Sequence, residues 1–443
     1  MNDTLLQDVV GAALRAGADA AEAVYAESQA LSIGVRSGEL EEVEREESRD
    51  LGLRVFVGQR QAVVSGSDLS PAARARLVER AVAMAKLAPE DPYAGLAPRE
   101  RLAREPVDGL DLWDPSEPTA EALEDRARAA EDAARAVEGV SKTDGAHASW
   151  SRSTWRLVTS DGFDGLHQAS GFSLSASAIA EDANGMERAG DGRRVRHEAD
   201  LPSPAEIGEE AGRRAASRLG ARKLDSMTAP VIFENKVAAS ILSPFVGAIA
   251  GPSVARGTSF LKTRLGQPVF APGVTLIDDP HRPRGLGSSP YDDEGVRSER
   301  RKLIDGGVLT TWLLNTGSAR QLGMETTGHA SRGLAGPPGV APSNLHVEPG
   351  DLDLAGLMRE AGSGLLVTSM FGPSLNANTG DWSAGVSGVW FENGAPAFPV
   401  AEITVAGNLL DIYVRVVPGA DLEFRGATNA PSLLVDAMAI AGR

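Results

Sequence analysis

The sequence contains no cysteine among its 443 residues. This absence excludes disulfides, thiolate nucleophiles and thiolate metal ligands, and it is typical of proteins from a reducing compartment. No apolar run approaches the length needed to cross a bilayer, so we expect no membrane-spanning segment. The hydrophobic fraction of 42% is ordinary for a globular protein and is sufficient for a sizeable buried core.

The chain also lacks any cluster of basic residues. Its formal net charge is −17 and its pI is near 4.9. Such a surface repels phosphate backbones and anionic lipids, which argues against direct binding of nucleic acid or membranes. The longest charge run is acidic and covers residues 39–47. We interpret it as a solvated edge strand or loop.

A secretory signal is not evident at the start of the sequence, because no basic region is followed by an apolar one in residues 1–7. Together with the absence of cysteine, this predicts a cytoplasmic protein.

Hydrophobic periodicity predicts an α+β fold in three parts. Residues 1–90 have the pattern helix, several antiparallel strands, helix, which is typical of a two-layer α/β domain. Residues 91–220 begin with a proline-rich linker and continue as a middle region of helices and strands. Residues 221–443 form a larger domain rich in antiparallel sheet. Its clearest feature is a hairpin around Glu392-Asn393-Gly394, since Asn-Gly favours the positive φ angles of a tight turn.

Motifs for self-contained catalysis are missing. The six histidines do not form a His-Glu-x-x-His or His-Glu-x-x-x-His pattern, which would place two imidazoles on one zinc ion. There is also no Gly-x-Ser-x-Gly elbow, phosphate-binding loop or dinucleotide fingerprint.

Two acidic segments contain potential metal ligands. Asp278, Asp279 and His281 form the densest cluster, although an Asp-Pro turn is the more frequent role for such a sequence. We retain these three residues as weak alternative metal candidates. The segment Tyr291–Gly295 lacks the spacing of a calcium loop, and we expect it to be a surface loop.

The C-terminal half contains an ordered series of short motifs that resembles the TldD/PmbA family, also named for modulation of DNA gyrase. The series comprises Ser259-Phe260-Leu261, Asp278-Asp279-Pro280-His281, Tyr291-Asp292-Asp293-Glu294-Gly295-Val296-Arg297, Gly307-Val308-Leu309-Thr310-Thr311-Trp312-Leu313-Leu314, Ser318-Ala319-Arg320-Gln321-Leu322-Gly323, Thr327-Gly328-His329-Ala330, Thr379-Gly380-Asp381-Trp382-Ser383, Phe391-Glu392-Asn393-Gly394 and Pro399–Leu409. The N-terminal unit is similar to the family's first domain, so the resemblance covers essentially the whole chain.

This resemblance implies a heterodimeric peptidase in which one branch carries a zinc-binding His-Glu-x-x-x-His helix and a cysteine ligand. The present chain resembles the other branch, called PmbA or TldE. Leu242 and Gly247 stand where the histidines would be, and Ser243 stands where the general-base glutamate would be. We therefore expect no catalytic residue and no metal in this chain. Zinc would belong to the partner, a catalytic TldD-type subunit.

The helix that replaces the zinc motif is predicted over residues 236–249, with Asn235 as its cap and one apolar face in the core. The resemblance further implies cleavage of unfolded or short peptides, with this chain closing the partner's active-site chamber. An exposed heterodimer face could also pair with itself, giving a homodimer when the partner is absent.

Two other functions remain open. The chain could be a metallopeptidase in its own right, with an unrecognised metal site around Asp278, Asp279 and His281 or around Asp292–Glu294. It could instead be a non-enzymatic modulator of DNA gyrase that acts through protein–protein contact.

Overall fold

The computed structural model describes residues 4–183 and 185–443. In this part of the chain the α-helices are α1 Leu5–Arg15, α2 Pro71–Leu87, α3 Ala120–Arg135, α4 Pro204–Ala216, α5 Asn235–Ile249, α6 Gly251–Ala255, α7 Thr316–Leu322, α8 Leu354–Ala361 and α9 Leu409–Tyr413. Short 3₁₀ turns cover Arg99–Arg101 and Glu198–Asp200.

The strands are β1 Ala20–Arg36, β2 Glu39–Val57, β3 Arg60–Gly66, β4 Val140–Thr159, β5 Asp164–Asp182, β6 Gly185–Val195, β7 Met227–Phe233, β8 Leu276–Asp278, β9 Arg301–Asp305, β10 Val308–Leu309, β11 Ala330–Ser331, β12 Gly339–Val340, β13 Leu345–Val347, β14 Gly364–Leu375, β15 Asp381–Glu392, β16 Ala395–Asn408, β17 Val416–Pro418, β18 Thr428–Asn429 and β19 Leu433–Ala441. These elements confirm the predicted α+β class.

The first sheet is antiparallel and has the strand order β3-β2-β1-β4-β5-β6. It joins strands from residues 1–90 with strands from residues 91–220. Side chains alternate between the faces of a strand, so Ala23 and Ile33 of β1 lie on one face. Ala23 packs in the core that includes α1 and α2, and Ile33 packs in the core that includes α3 and α4. Both helix pairs therefore cover the same face of the sheet.

The opposite face of this sheet meets the C-terminal domain. Val24 and Leu157 pack there against Tyr291. A buried ion pair joins Arg54 of β2 to Glu22 of β1, with 3.1 Å between Nη1 and Oε1. Arg332 of the C-terminal domain pairs with the same glutamate, and its side chain is fully buried. The two parts of the molecule are thus connected by both apolar contacts and charge.

The C-terminal domain is built around a second six-stranded sheet with the order β16-β15-β14-β7-β19-β17. An additional pairing of β16 with β19 closes five of these strands into a ring. The hairpin between β15 and β16 turns at Asn393 and Gly394, whose φ angles of 52° and 74° confirm the predicted tight turn. A smaller sheet has the order β10-β9-β8-β13-β18.

The acidic run lies in β2. Residues 39–47 are exposed, and β3 covers only the last part of the strand, from Leu51 to Val57. Among the described residues, no strand pairs with the outer side of the preceding half. The prediction of a solvated edge strand is therefore confirmed, and the density of like charge there discourages edge-to-edge association.

Candidate functional site

Helix α5 forms as predicted, and its apolar face lies in the largest core. Ile241, Phe245 and Ile249 are buried there with strands of the second sheet. The Phe245 ring packs edge-on against Phe270 at a centroid distance of 5.2 Å. The hydroxyl of Tyr413 donates to the carbonyl of Ile241 at 2.9 Å. Burial of this kind fixes the helix in position.

The predicted cap of α5 is wrong. Glu234 occupies the N-cap position, and α5 has no side-chain cap. The side-chain amide of Asn235 instead donates to the carbonyl of Asp421 at 2.9 Å. A tertiary contact from a distant part of the sequence has replaced the local one.

The three positions that the resemblance aligns with the zinc motif have different surroundings. Leu242 is 0% exposed and belongs to the core. Ser243 and Gly247 line a cleft of about 610 Å³ on the surface of the domain. A Cβ atom built on Gly247 meets nothing within 4 Å, so the backbone there borders open space. Residues 242 and 247 also lie about 140° apart around the axis of a regular helix.

We call this space the apolar cleft. One wall is the exposed side of α5, from Ser240 to Ala248, and another is formed by Pro373 and Leu375 of β14 with Trp382 of β15. Phe371 and Leu375 on β14 are 52% and 40% exposed. The strand therefore presents apolar side chains to solvent beside the cleft.

The donor set on α5 does not fit a zinc ion. Leucine and glycine have no side-chain ligand atom, and a serine hydroxyl is a weak base at neutral pH. The sequence has no cysteine that could supply a thiolate. These residues therefore do not reproduce the histidine, glutamate and cysteine set that the resemblance assigns to the other branch.

The weak metal candidates do not converge. The Oδ1 atom of Asp278 accepts from the backbone N–H of Ser343 at 2.8 Å, and its Oδ2 atom lies 3.1 Å from Nε2 of His329. Asp279 accepts from the backbone N–H of His281 at 3.0 Å, which stabilises the turn. Within residues 4–183 and 185–443, no group of three or more His, Asp or Glu side chains could hold a metal ion.

His329 also contacts Thr327, with 2.8 Å between Nδ1 and Oγ1. Thr327, His329 and Asp278 thus follow the order hydroxyl, imidazole, carboxylate. All three are buried, and Oγ1 of Thr327 accepts from the backbone N–H of Leu314 at 2.8 Å. Because a substrate has no access to this hydroxyl, the chain of hydrogen bonds stabilises the fold rather than providing a nucleophile.

The segment Tyr291–Val296, which we call the acidic loop, is mostly buried, so the prediction of a surface loop for Tyr291–Gly295 is wrong. Asp292 and Glu294 are 7% and 4% exposed. The carboxylate of Asp292 accepts from the backbone N–H groups of Glu294 and Val296 at 2.9 Å each, and from that of Ala330 at 3.0 Å. These hydrogen bonds to backbone N–H groups allow the acidic loop to be buried inside the protein.

Burial changes the protonation of the acidic loop. Burial and the neighbouring Glu294 raise the pKa of Asp292 well above its usual range. Burial also raises the pKa of Asp293 to about 6, although the backbone N–H of Arg332 donates to its Oδ2 atom at 2.8 Å. Desolvation penalises the charged form more than this hydrogen bond favours it.

Comparison with known proteins identifies the family. Family models for the three domains of the PmbA/TldA metallopeptidase match this chain in order. Domain 1 matches residues 21–85, the central domain matches residues 113–219 and the C-terminal domain matches residues 226–442. The chain belongs to the PmbA/TldD family.

Curated relatives support this assignment over nearly the full length. The chain is 39% identical to the metalloprotease PmbA of Escherichia coli O157:H7, covering 99% of this chain and 96% of that protein. It is 37% identical to the metalloprotease PmbA homolog of Haemophilus influenzae, covering 97% and 94%.

Solved structures show the same fold. A Bacteroides thetaiotaomicron protein, described in terms of modulation of DNA gyrase, has a TM-score of 0.92 at 26% identity and covers 100% of this chain and 99% of its own. TldE from Thermococcus kodakarensis has a TM-score of 0.86 at 19% identity and covers 98% and 99%. No helix in the described part of the present chain is both long and apolar enough to span a membrane.

Proposed function

We propose that this chain is the metal-free subunit of a cytoplasmic two-chain metallopeptidase. Its partner is a TldD-type paralogue that carries the zinc motif, and the substrates are unfolded or short peptides. What supports the proposal is the chemistry of helix α5, because the residues that the family resemblance aligns with the ligands and the base are Leu242, Ser243 and Gly247, which do not fit zinc. In the absence of the partner, the exposed contact face pairs with a second copy of the chain.

The role of this subunit is to enclose the partner's active site. What supports this role is the apolar cleft, which lies beside α5 and whose lining residues on that helix have no metal chemistry. Leu375 in its wall and Phe371 on the same strand are exposed and add apolar surface. Exposed apolar side chains beside a cleft are typical of contact surfaces. An enclosed chamber would admit extended peptides and exclude folded proteins by size.

A second candidate is a metallopeptidase in its own right, and the names of the E. coli and H. influenzae relatives favour it. The side chains argue against it here, because Asp278 and Asp279 already accept hydrogen bonds within the fold and do not converge with His281. A modulator of DNA gyrase would have to act through protein contact, since a net charge of −17 repels DNA.

The test is to purify this chain alone, the zinc-motif paralogue alone and the two expressed together, and to compare cleavage of an unstructured peptide with cleavage of a folded protein. We expect this chain alone to be inactive with added zinc, and the complex to cleave only the peptide. Peptide cleavage by this chain alone would contradict the proposal. So would a paralogue that is equally active and equally selective without it.

A further inference from the structure

A second cleft of about 770 Å³ lies at the other end of helix α5, between the first sheet and the C-terminal domain. We call it the cationic cleft. Its lining includes five basic side chains and only two acidic ones. The basic residues are Arg188, Arg214, Arg218, Lys236 and Arg425, and the acidic ones are Asp144 and Asp191. This excess of positive charge contrasts with the net charge of −17 on the whole chain.

Most of these cations are held by carboxylates. Arg214 makes two hydrogen bonds to Glu234, at 3.1 and 2.7 Å, and Lys236 lies 2.6 Å from Glu210. Neither glutamate lines the cleft. The two acidic lining residues also have cationic partners, since Asp191 pairs with Lys236 and Arg425, and Asp144 with Arg36 and Arg188. These contacts fix the basic groups around the cleft.

Arg218 differs from the others. Its guanidinium donates to the carbonyl of Arg188 at 2.7 Å, and no carboxylate among the described residues forms an ion pair with it. Burial and the adjacent Arg214 lower the pKa of Arg218. The carboxylates of Glu187 and Glu234 raise this pKa, but by less than burial and Arg214 lower it. An anion in direct contact with Arg218 would therefore stabilise this half-buried cation.

The first turn of α5 adds to the positive potential. Lys236 and Val237 line the cleft at the start of this helix, where the helix dipole is positive. A lysine in the first turn is unfavourable for an isolated helix. A bound anion would interact favourably with both the lysine and the dipole.

The backbone of β14 provides a place for an extended chain. Strand β7 pairs with β14 only from Leu365 to Val367. Beyond that point, no described strand occupies this side of β14. Thr368, Ser369 and Met370 line the cationic cleft, whereas Pro373 and Leu375 line the apolar cleft. The two clefts therefore follow one another along β14, where the carbonyl of Thr368 accepts from Nη2 of Arg214 at 3.0 Å and the pairing with β15 is irregular between Phe371 and Ser374.

The two clefts also lie one after the other along helix α5. Lys236 lies at the cationic cleft, and Ser243 and Gly247 lie at the apolar cleft. The helix from Lys236 to Gly247 rises by about 16 Å, and β14 from Ser369 to Leu375 spans about 20 Å. An extended peptide of about six residues matches this length.

We infer that the cationic cleft binds the carboxylates of an acidic peptide segment, which lies along this edge of β14 with an apolar side chain in the apolar cleft. Arg218 is the anchoring residue. Backbone hydrogen bonds to the strand edge would provide affinity, and the two clefts would provide specificity. This inference rests on the proposed function and narrows its substrates to peptides with an acidic end.

The test uses the full chain and two fluorescently labelled ten-residue peptides, measured by fluorescence anisotropy. Both are unstructured and share one apolar residue. One ends in two glutamates with a free carboxylate, and the other ends in two lysines with an amide. We expect the acidic peptide to bind at least about tenfold more tightly, because hydrogen bonds to charged groups contribute strongly when desolvated.

The decisive variant is Arg218→Ala, for which we expect about a tenfold loss of affinity for the acidic peptide. Arg218→Lys should restore most of the binding, and an unchanged melting temperature would show that the fold is intact. The matched control is Arg45→Ala, which removes an equal charge from the exposed edge of β2 and should bind as the wild type does.

Equal affinity for the two peptides, or equal behaviour of Arg218→Ala and Arg45→Ala, would overturn the inference. Inorganic phosphate distinguishes a simple anion site from a site for an acidic peptide. Binding of phosphate without binding of the acidic peptide would also overturn the inference. These outcomes can be distinguished from a failure of the proposed function. If the chain pairs with the zinc-motif paralogue but Arg218→Ala binds the acidic peptide as the wild type does, only this inference is wrong. If the chain alone cleaves peptides, the proposed function is wrong.

Discussion

Helix α5 and the acidic loop differ in the potential metal ligands that they contain, and neither provides a metal site as its position or composition would suggest. Helix α5 stands where the family resemblance places zinc ligands, yet its side chains are leucine, serine and glycine. The acidic loop has three consecutive carboxyl groups, Asp292, Asp293 and Glu294, yet they accept hydrogen bonds from backbone N–H groups. A high density of potential ligands therefore does not make a metal site. What decides is whether the ligand atoms are already used by the fold.

The largest effect is expected from Asp292→Ala in the acidic loop. This change leaves three buried backbone N–H groups without an acceptor, so the free energy of unfolding should fall by about 4 kcal/mol. Chemical denaturation measures the loss. The control Glu44→Ala, on the exposed strand edge, should change stability by less than about 0.5 kcal/mol. If both variants were equally stable, the structural role of the loop would be refuted.

Leu242→Ala tests the buried side of α5. Because Leu242 is fully buried in the core, the cavity left by this change should lower the free energy of unfolding by about 3 kcal/mol. Denaturation against wild type provides the measurement. A loss below about 1 kcal/mol would mean that position 242 is not part of the packed core.

Asp293→Asn tests the protonation of the acidic loop. The pKa of Asp293 is raised from 3.8 to about 6, so the folded state binds more protons than the unfolded state between these values. Its contribution therefore lowers stability as pH rises from about 4 to 6, by about 1–2 kcal/mol. The asparagine variant should lose this part of the pH dependence. Identical stability–pH profiles of variant and wild type would rule out this assignment.

The smallest effect is expected from Gly247→Ala, on the open side of α5. A Cβ atom there meets no neighbour within 4 Å, and alanine favours helix more than glycine does. We expect stability to rise by up to about 1 kcal/mol, measured by the same denaturation. A clear loss would show that the apolar cleft is filled at this position.

Local patterns were sufficient to predict much of the fold. The apolar periodicity of residues 236–249 predicted α5, and Asn393-Gly394 predicted the tight hairpin turn. Both signals depend on neighbouring residues. The exposed edge at residues 39–47 could also be predicted, because so many like charges are too costly to bury.

The features that local patterns did not predict depend on contacts between residues that are distant in sequence. Asp292 is buried because one of its three donors, Ala330, comes from strand β11, which is distant in sequence. Asn235 does not cap α5 because Asp421 provides an acceptor. The cationic cleft collects residues from position 144 to position 425, which no local pattern connects. The replacement of the zinc motif came from the family resemblance rather than from periodicity.

The metal content of this chain tests most directly whether it lacks a zinc site. The protein is purified alone, incubated with zinc, freed of loosely bound ions and measured by elemental analysis, with the zinc-motif paralogue treated in parallel. We predict near-zero zinc in this chain and about one zinc per chain in the paralogue. About one tightly held zinc in this chain would contradict the account of Leu242, Ser243 and Gly247 and would identify the chain as a metal-binding protein itself.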